Sequence, residues 1–243
     1  RRPDLPPAGR PAVADNSKKR PRGLVTLGET MGLLTPAAAG PLHRGAGLRL
    51  SIAGAESNVA IGVRRLRGPA TWIGRVGQDD VGDVIVRELR AEEVTLRAIR
   101  DPAPTGLMLK TARAAGVTRV SYYRTASAGS RLNPGDLDEA AIAEAGVLHV
   151  TGITPALGPG PAAAVWSAIE IARLNKVVVS LDINYRSALW DRAAASAALR
   201  ELARHADIVF AGEQEAALLA EAGDPAAMAR EVARLGPRQV LIK

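Results

Sequence analysis

The 243-residue sequence contains no cysteine, which excludes disulfides, a thiolate nucleophile and a cysteine-ligated zinc site within it. Aromatic residues make up only 3%, too few for a platform on which nucleic-acid bases stack. No apolar run approaches the roughly 20 residues that span a bilayer, and no signal-peptide pattern is present, so we expect a cytoplasmic protein without a membrane partner. The three histidines, His43, His149 and His205, lack ligand spacing, and we predict no metal site among them.

Most of the net charge of +7 lies at the start of the sequence. Residues 1–22 carry seven Lys or Arg against two Asp, a net +5, which leaves +2 for the rest. This segment is rich in proline and has no hydrophobic periodicity, which predicts a disordered basic tail over 1–22. A solvated tail is favoured over an anion-binding segment at Lys18–Arg22, and we expect no nucleic-acid partner.

Residues 23–243 alternate short apolar strands with helices of about 10 to 15 residues, a pattern typical of an α/β fold with a doubly wound, mostly parallel sheet. Two alternating runs at 105–111 and 118–124 predict a β-hairpin, and the Gly- and Pro-rich stretch 33–52 predicts an edge strand or flap. Together the segments of about 33–52 and 105–125 would form a small β lid. The last strand begins at Gln239, and we expect the domain to be incomplete at its C-terminal end.

Two acidic positions resemble helix starts. Asp79 or Asp80 precedes an apolar-periodic run, so helix capping is favoured there over a metal or acid–base pair. We also predict a helix over 136–145 that is capped near Asp136.

A run of β-branched residues, 177–181, is followed by Asp182, Asn184 and Arg186 at a spacing of two. While the chain stays extended, these three side chains share one face of the strand and emerge at its carboxyl end. A simple ion pair between Asp182 and Arg186 is the alternative. We interpret Asp182 as the residue that orients Arg186.

Two further stretches carry groups that suit a polyhydroxy acid. Residues 53–58, AGAESN, lead into an apolar-periodic helix, and the free N–H groups of a first helical turn favour an anion or hydroxyls, although Gly-Ala turns before helices are common. Residues 121–124, SYYR, end the second hairpin strand, where a guanidinium could bind a carboxylate in a bidentate fork. Exposed cross-strand packing is the alternative there.

In chain order the segments GETM (28–31), AGAESNVA (53–60), GRVGQD (74–79), SYYR (121–124), TGIT (151–154) and DINYR (182–186) resemble the ribokinase-like (PfkB) carbohydrate kinases. Within that family they are most similar to the members that phosphorylate 2-keto-3-deoxygluconate. The resemblance covers residues 23–243. It implies a ribokinase-like fold and transfer of phosphate from ATP, with Mg²⁺, to a sugar acid under a β lid.

By motif position the resemblance also implies roles for individual residues. The turn Gly54, Ala55, Glu56, Ser57 and Asn58 would hold the sugar hydroxyls. Substrate contacts on the lid would come from Met108, Tyr122 and Arg124, with Arg186 reaching the acid end as well. Asn184 would face the ATP phosphates, Glu215 would organise the magnesium and phosphate waters, and lids of this family often pair in a homodimer.

Several positions depart from the family pattern. Ala53 stands where a glycine is usual, Met108 where a lid tyrosine is expected, and Gly212 where an asparagine is common. The resemblance places the catalytic base, the aspartate of a G-A-G-D turn, beyond Lys243; we interpret Ala222-Gly223-Asp224 as a helix cap instead. The 243 residues alone are therefore expected to be inactive. A fructokinase-like or ribokinase-like kinase and a non-catalytic sugar-acid-binding remnant stay open as alternatives.

Overall fold

The computed structural model describes residues 22–38, 40–112, 118–221 and 223–243. The predicted tail lies outside the described residues except for Arg22, as does the tip of the predicted hairpin. The strands are β1 (Leu24–Leu27), β2 (Met31–Pro36), β3 (Leu48–Ala53), β4 (Ala70–Gly77), β5 (Thr95–Asp101), β6 (Leu107–Ala112), β7 (Thr118–Tyr123), β8 (Val147–Thr151), β9 (Val178–Asp182), β10 (Ile208–Ala211) and β11 (Gln239–Ile242). The helices are α1 (Ala55–Arg65), α2 (Asp80–Ala91), α3 (Glu139–Glu144), α4 (Pro159–Leu174), α5 (Arg192–Arg204), α6 (Glu213–Ala216) and α7 (Pro225–Ala233).

Seven strands form one sheet in the order β11-β10-β9-β8-β1-β4-β5, and every pairing in it is parallel. The predicted doubly wound parallel sheet is therefore confirmed. Parallel strands need long crossovers, and the helices between them supply these.

Both faces of this sheet are covered. The neighbouring residues Trp72 and Ile73 of β4 are both fully buried, but they belong to two different hydrophobic clusters. The Trp72 cluster includes side chains of α1 and α2, and the Ile73 cluster includes side chains of α3, α4, α5 and α7. Alternation along a strand thus explains the near-continuous apolar runs of the sequence, since both faces are buried. Within the part of the chain that the structure describes, no helix has both the length and the apolar character needed to cross a bilayer.

The second sheet has four strands in the order β3-β2-β6-β7. Strands β6 and β7 pair antiparallel, as the predicted hairpin requires, and β2 and β3 pair antiparallel within the predicted flap. The pairing of β2 with β6 is parallel and joins the two segments into one sheet. The segments predicted as a lid therefore do form one small sheet.

Helix starts agree with the sequence at some positions and differ at others. Asp79 caps α2 by accepting a 2.7 Å hydrogen bond from the Gly82 N–H, and Asp224 caps α7 from the Ala227 N–H. The prediction for Asp136 was wrong, because α3 begins at Glu139 and its cap is Asp138. Asp136 instead accepts two hydrogen bonds, 2.7 and 2.8 Å, from the Arg75 guanidinium, a partner 61 residues away.

Asp79 also ties α2 to the base of the lid, because its carboxylate accepts hydrogen bonds from both the N–H and the hydroxyl of Thr105, each 2.7 Å. Burial works against the charged form, but the hydrogen bonds from Thr105 and Gly82 outweigh it and lower the pKa of Asp79. The stabilisation is thus present above the ordinary pKa of 3.8 and is lost as the pH falls through the folded value.

We expect Asp79→Ala to lower the free energy of unfolding by about 2 kcal/mol at pH 7, since it removes a cap and leaves the N–H and the hydroxyl of Thr105 without their acceptor. The difference from the unmodified chain should shrink below pH 3.8. Urea unfolding at several pH values measures both effects. Asp80→Ala is the matched control, because Asp80 is exposed, and it should change stability by less than about 0.5 kcal/mol. Equal losses in the two variants would contradict this account of Asp79.

Candidate functional site

The carboxyl ends of β1 and β8 mark the point where the strand order of the large sheet reverses. From β1 the chain moves to β4 and β5 on one side, whereas β8 is followed by β9, β10 and β11 on the other. In open parallel sheets the crevice at such a switch point is where ligands bind. Residues 28–31 follow β1 and residues 151–154 follow β8, so two of the sequence motifs meet at this edge.

The turn Gly54–Asn58 forms the start of α1 beside this edge. A Cβ atom on Gly54 would lie 2.7 Å from the Glu29 carbonyl oxygen and 2.6 Å from the Ser57 hydroxyl, so only glycine fits. Ser57 is buried and donates to the Gly54 carbonyl oxygen at 3.2 Å. Ala55 is half-buried, whereas Asn58 is exposed and lines a groove between α1 and β3. The turn thus presents a tightly packed backbone to the switch point.

Glu56 is almost fully buried, with 1% of its surface exposed. Its Oε1 accepts hydrogen bonds from the Thr151 hydroxyl at 2.6 Å and from the Thr154 hydroxyl at 2.7 Å. Burial raises the pKa of Glu56, and the two threonines and the charge of Arg124 only partly oppose it. The carboxyl group therefore links α1 to the end of β8. The two threonines were not assigned from the sequence, although the T-G-I-T hydroxyls following an apolar strand were a visible signal.

The lid places its predicted residues on one face. Met108 and Tyr122 are directly opposite each other in the antiparallel register of β6 and β7, so their side chains point the same way. Arg124 follows two residues after Tyr122, and its guanidinium carbon lies 5.8 Å from the centroid of the Tyr122 ring, a cation–π contact. Met108 is half-buried and Tyr122 is 40% exposed.

Arg124 also forms an ion pair with Glu29, a residue that the sequence analysis did not assign. Only 10% of the Arg124 side chain and 1% of the Glu29 side chain are exposed. A carboxylate directly after a buried strand end was the signal that could have identified Glu29. Charge of both signs therefore meets beneath the lid.

A second group of predicted residues meets at the ends of β9 and β10. The Glu215 carboxylate accepts from the Tyr185 N–H at 3.1 Å and from the Gly212 N–H at 2.8 Å, and it lies 3.8 Å from the Arg186 guanidinium. These contacts bring the segment 184–186 against the start of α6. Asn184 has φ +39°, and its Oδ1 is buried without a hydrogen-bond partner among the described residues.

The predicted shared face of Asp182, Asn184 and Arg186 was wrong. Strand β9 ends at Asp182 and the backbone turns into the left-handed region at Asn184, so the two-residue alternation stops there. The Asp182 carboxylate lies 3.4 Å from Lys243 Nζ rather than holding Arg186. Arg186 donates to its neighbour's carbonyl oxygen at 2.9 Å and has 45% of its side chain exposed.

Comparison with known proteins gives consistent matches. The sequence profile described as pfkB family carbohydrate kinase matches residues 22–243. The chain is 37% identical to 2-dehydro-3-deoxygluconokinase of Bacillus subtilis and 34% identical to that of Thermoproteus tenax, over 90% of this chain and 69% and 68% of those proteins. The crystal structure of a PfkB protein from Polaromonas sp. JS666 superposes with a TM-score of 0.86 at 32% identity, covering 91% of this chain and 76% of that one.

The raised pKa of Glu56 yields a test of its burial. The unfolded carboxyl loses its proton near pH 4.5 while the folded one keeps it to higher pH, so stability falls as the pH rises above 4.5. In Glu56→Gln this pH dependence is absent. The free energy of unfolding of the variant relative to the unmodified chain should therefore grow between pH 4.5 and 8, by about 1.4 kcal/mol for each unit by which the folded pKa of Glu56 exceeds the unfolded one. Thermal unfolding across this range measures it. Glu88→Gln, at an exposed glutamate of α2, should track the unmodified chain, and parallel curves for Glu56→Gln would refute the assignment.

Proposed function

Since the chain belongs to the pfkB family of carbohydrate kinases, its reaction is phosphoryl transfer to a sugar, and we propose that the sugar is the acid 2-keto-3-deoxygluconate. The product would be its 6-phosphate and the donor ATP with Mg²⁺. The two relatives at 34% and 37% identity bear the name of this activity, which supports the choice of substrate.

The observation that carries the proposal is the position of Arg124. Arg124 pairs with Glu29, and a Cβ atom on the neighbouring Gly28 would lie 2.4 Å from Cδ of Glu56, so the lid cation and the glycine-led turn lie close together at this edge of the sheet. A neutral sugar needs no guanidinium there, whereas a carboxylate pairs with one in a directional fork.

Each part of the pocket would bind one part of the substrate. Backbone groups of the turn Gly54–Asn58 would contact the sugar hydroxyls, with Glu56 holding the turn in place from below. The Tyr122 hydroxyl would donate a hydrogen bond to the substrate carboxylate beside Arg124, and Met108 would pack against the carbon chain of the substrate. Arg186 is exposed, and among the described residues it contacts only the Tyr185 carbonyl oxygen and Glu215, so it would be able to turn toward the acid.

The residues at the ends of β9 and β10 fit a nucleotide phosphate group. The buried Asn184 Oδ1 has no hydrogen-bond partner among the described residues, and as an acceptor it would bind a water of the phosphate or magnesium shell rather than a phosphate oxygen itself. Glu215 would keep the Asn184 loop in position and face the magnesium waters. ATP would supply the phosphoryl group: the substrate hydroxyl oxygen would bond to the γ-phosphorus as the bond to the ADP oxygen breaks, and the hydroxyl proton would pass to a general base.

A neutral ketose is the second candidate, because one edge of Arg124 is already occupied by Glu29 and because Met108 cannot donate a hydrogen bond to the acid. A fructokinase-like specificity would use the same turn and the same nucleotide site. The two candidates differ only in whether the lid arginine pairs with the sugar.

We expect phosphorylation of 2-keto-3-deoxygluconate by the full-length gene product to exceed that of fructose or ribose, since only the acid uses Arg124. Coupled ADP-release assays over this panel decide between the candidates. Arg124→Gln should reduce kcat/KM for the acid by about 100-fold while changing the low value for fructose less than threefold. Activity on fructose or ribose without activity on the acid would overturn the proposed substrate.

We also propose that the lid mediates a homodimer. Its sheet exposes Leu48, Leu50 and Tyr123, each between 42% and 62%, on the face opposite the one that carries Met108 and Tyr122. Exposed apolar side chains on one face of a sheet can mark an interaction site.

Sedimentation at micromolar concentration should show a dimer for the unmodified chain and a monomer for Leu48→Glu, because a buried charge would be left unpaired in the interface. Leu174→Glu is the matched control, since Leu174 is 76% exposed at the end of α4 and outside the lid. A monomer for the unmodified chain would disprove the lid dimer.

A further inference from the structure

We infer that Glu29 is a positioning residue for sugar-acid binding, which fixes the guanidinium of Arg124 in the orientation that the substrate carboxylate meets. The inference rests on the proposed function, since it concerns the same pocket. Neither the sequence motifs nor the proposed substrate contacts assign a role to Glu29. It follows β1 of the large sheet, whereas Arg124 follows β7 of the lid.

The first line of support is burial. The Glu29 side chain is 1% exposed and the Arg124 side chain 10%, so neither charge is screened by water. A buried carboxylate is costly to keep ionised unless it is paired and hydrogen-bonded. The space around Glu29 is also closely fitted, because a Cβ atom on Gly129 would lie 2.2 Å from its Cγ. Glu29 therefore has little room to adopt another rotamer.

The two carboxylate oxygens of Glu29 face different partners. Glu29 Oε1 accepts a hydrogen bond from the Ser127 hydroxyl, and Oε2, which has no hydrogen-bond partner among the described residues, forms the ion pair with Nη2 of Arg124. Ser127 itself is buried, and its segment is fixed by the Ala128 N–H, which donates to the Pro104 carbonyl oxygen at 2.8 Å. With one oxygen held by Ser127, the other is aimed in a single direction. Glu29 thus determines which edge of the guanidinium is occupied.

Arg124 has donor groups that Glu29 does not use. Its Nε is buried and has no hydrogen-bond partner among the described residues, so the guanidinium still has an unused donor. Buried donors of charged groups are seldom left unpaired in the working state of a protein. Glu29 holds one edge of the fork, and the remaining donors are left for an anion of carboxylate geometry.

Finally, the pair joins two elements that lie far apart in the sequence. Glu29 lies just after β1 of the large sheet, and Arg124 lies just after β7 of the lid. Their contact fixes the position of the lid relative to the switch point. The orientation of the acid-binding group is thereby tied to the sheet that carries the hydroxyl-binding turn.

Calorimetric titration of the 243-residue chain with 2-keto-3-deoxygluconate, and separately with fructose, tests the inference. Glu29→Ala should weaken binding of the acid about tenfold, because Arg124 loses its fixed orientation, and should change fructose affinity less than about twofold. Glu29→Gln should recover the acid affinity to within about threefold, since the amide keeps the shape of the side chain and an oxygen that can accept from the Ser127 hydroxyl. A purely structural role would affect both sugars equally or neither, and either result overturns the inference.

Asp136→Ala is the matched control. It breaks another buried pair, with Arg75, in which 8% of the aspartate side chain is exposed. It should lower thermal stability without changing the acid-to-fructose affinity ratio. If Glu29→Ala does not fold, Ser127→Ala serves instead, with an expected acid-specific loss of about threefold; an unchanged ratio there refutes the positioning role.

A ligand-free measurement separates the two proposals. The Arg124 Nε–H should give a resolved side-chain signal in ¹⁵N-edited NMR spectra of the unmodified chain and lose it in Glu29→Ala. If this signal is present but the unmodified chain binds no sugar acid, the proposed substrate falls and the role of Glu29 in acid binding falls with it. If the acid binds and Glu29→Ala does not alter its affinity, only the Glu29 inference fails.

Discussion

The parallel pairing of all seven strands in the large sheet is the constraint on which the site depends. Parallel strands point their carboxyl ends to one edge, so residues that are far apart in the chain meet there. The edge is divided by the reversal between β1 and β8, with the lid and the turn of α1 on one side and the loops after β9 and β10 on the other. A two-substrate phosphotransferase needs two adjacent binding sites, and the two groups of residues at this edge are where we propose them.

Buried carboxylates hold the first of these pockets together. Glu56 joins α1 to β8 through two threonine hydroxyls, and Glu29 joins the end of β1 to the lid through Arg124. Burying these groups costs free energy, which the threonine hydroxyls offset only in part for Glu56 and the ion pair with Arg124 counteracts for Glu29. Polar contacts of this kind are directional, whereas apolar packing is not, so they fix the relative position of elements whose packing alone would allow them to slide.

The local rules of the sequence predicted those features that depend on neighbours in the chain. Alternating strands and helices gave the parallel sheet, the two alternating runs gave the hairpin of β6 and β7, and Asp79 and Asp224 cap helices as expected. The same rules failed where a long-range partner competes. Asp136 resembled a helix cap, but a half-buried arginine 61 residues away donates to both of its oxygens, and these charged hydrogen bonds outweigh a cap at the surface.

The sequence by itself determined the family, the fold and the segments that form the site, because strand periodicity, turn residues and ordered motifs are all encoded locally. Only the tertiary structure decided which groups within those segments touch. In the structure, Asn184 lies in a left-handed turn and no longer follows the alternation of the strand. Asp182 pairs with Lys243 rather than with Arg186, and Glu29 pairs with Arg124. The physical reason is that the pairing of a buried charge depends on distance and desolvation in three dimensions, and neither quantity is set by spacing along the chain.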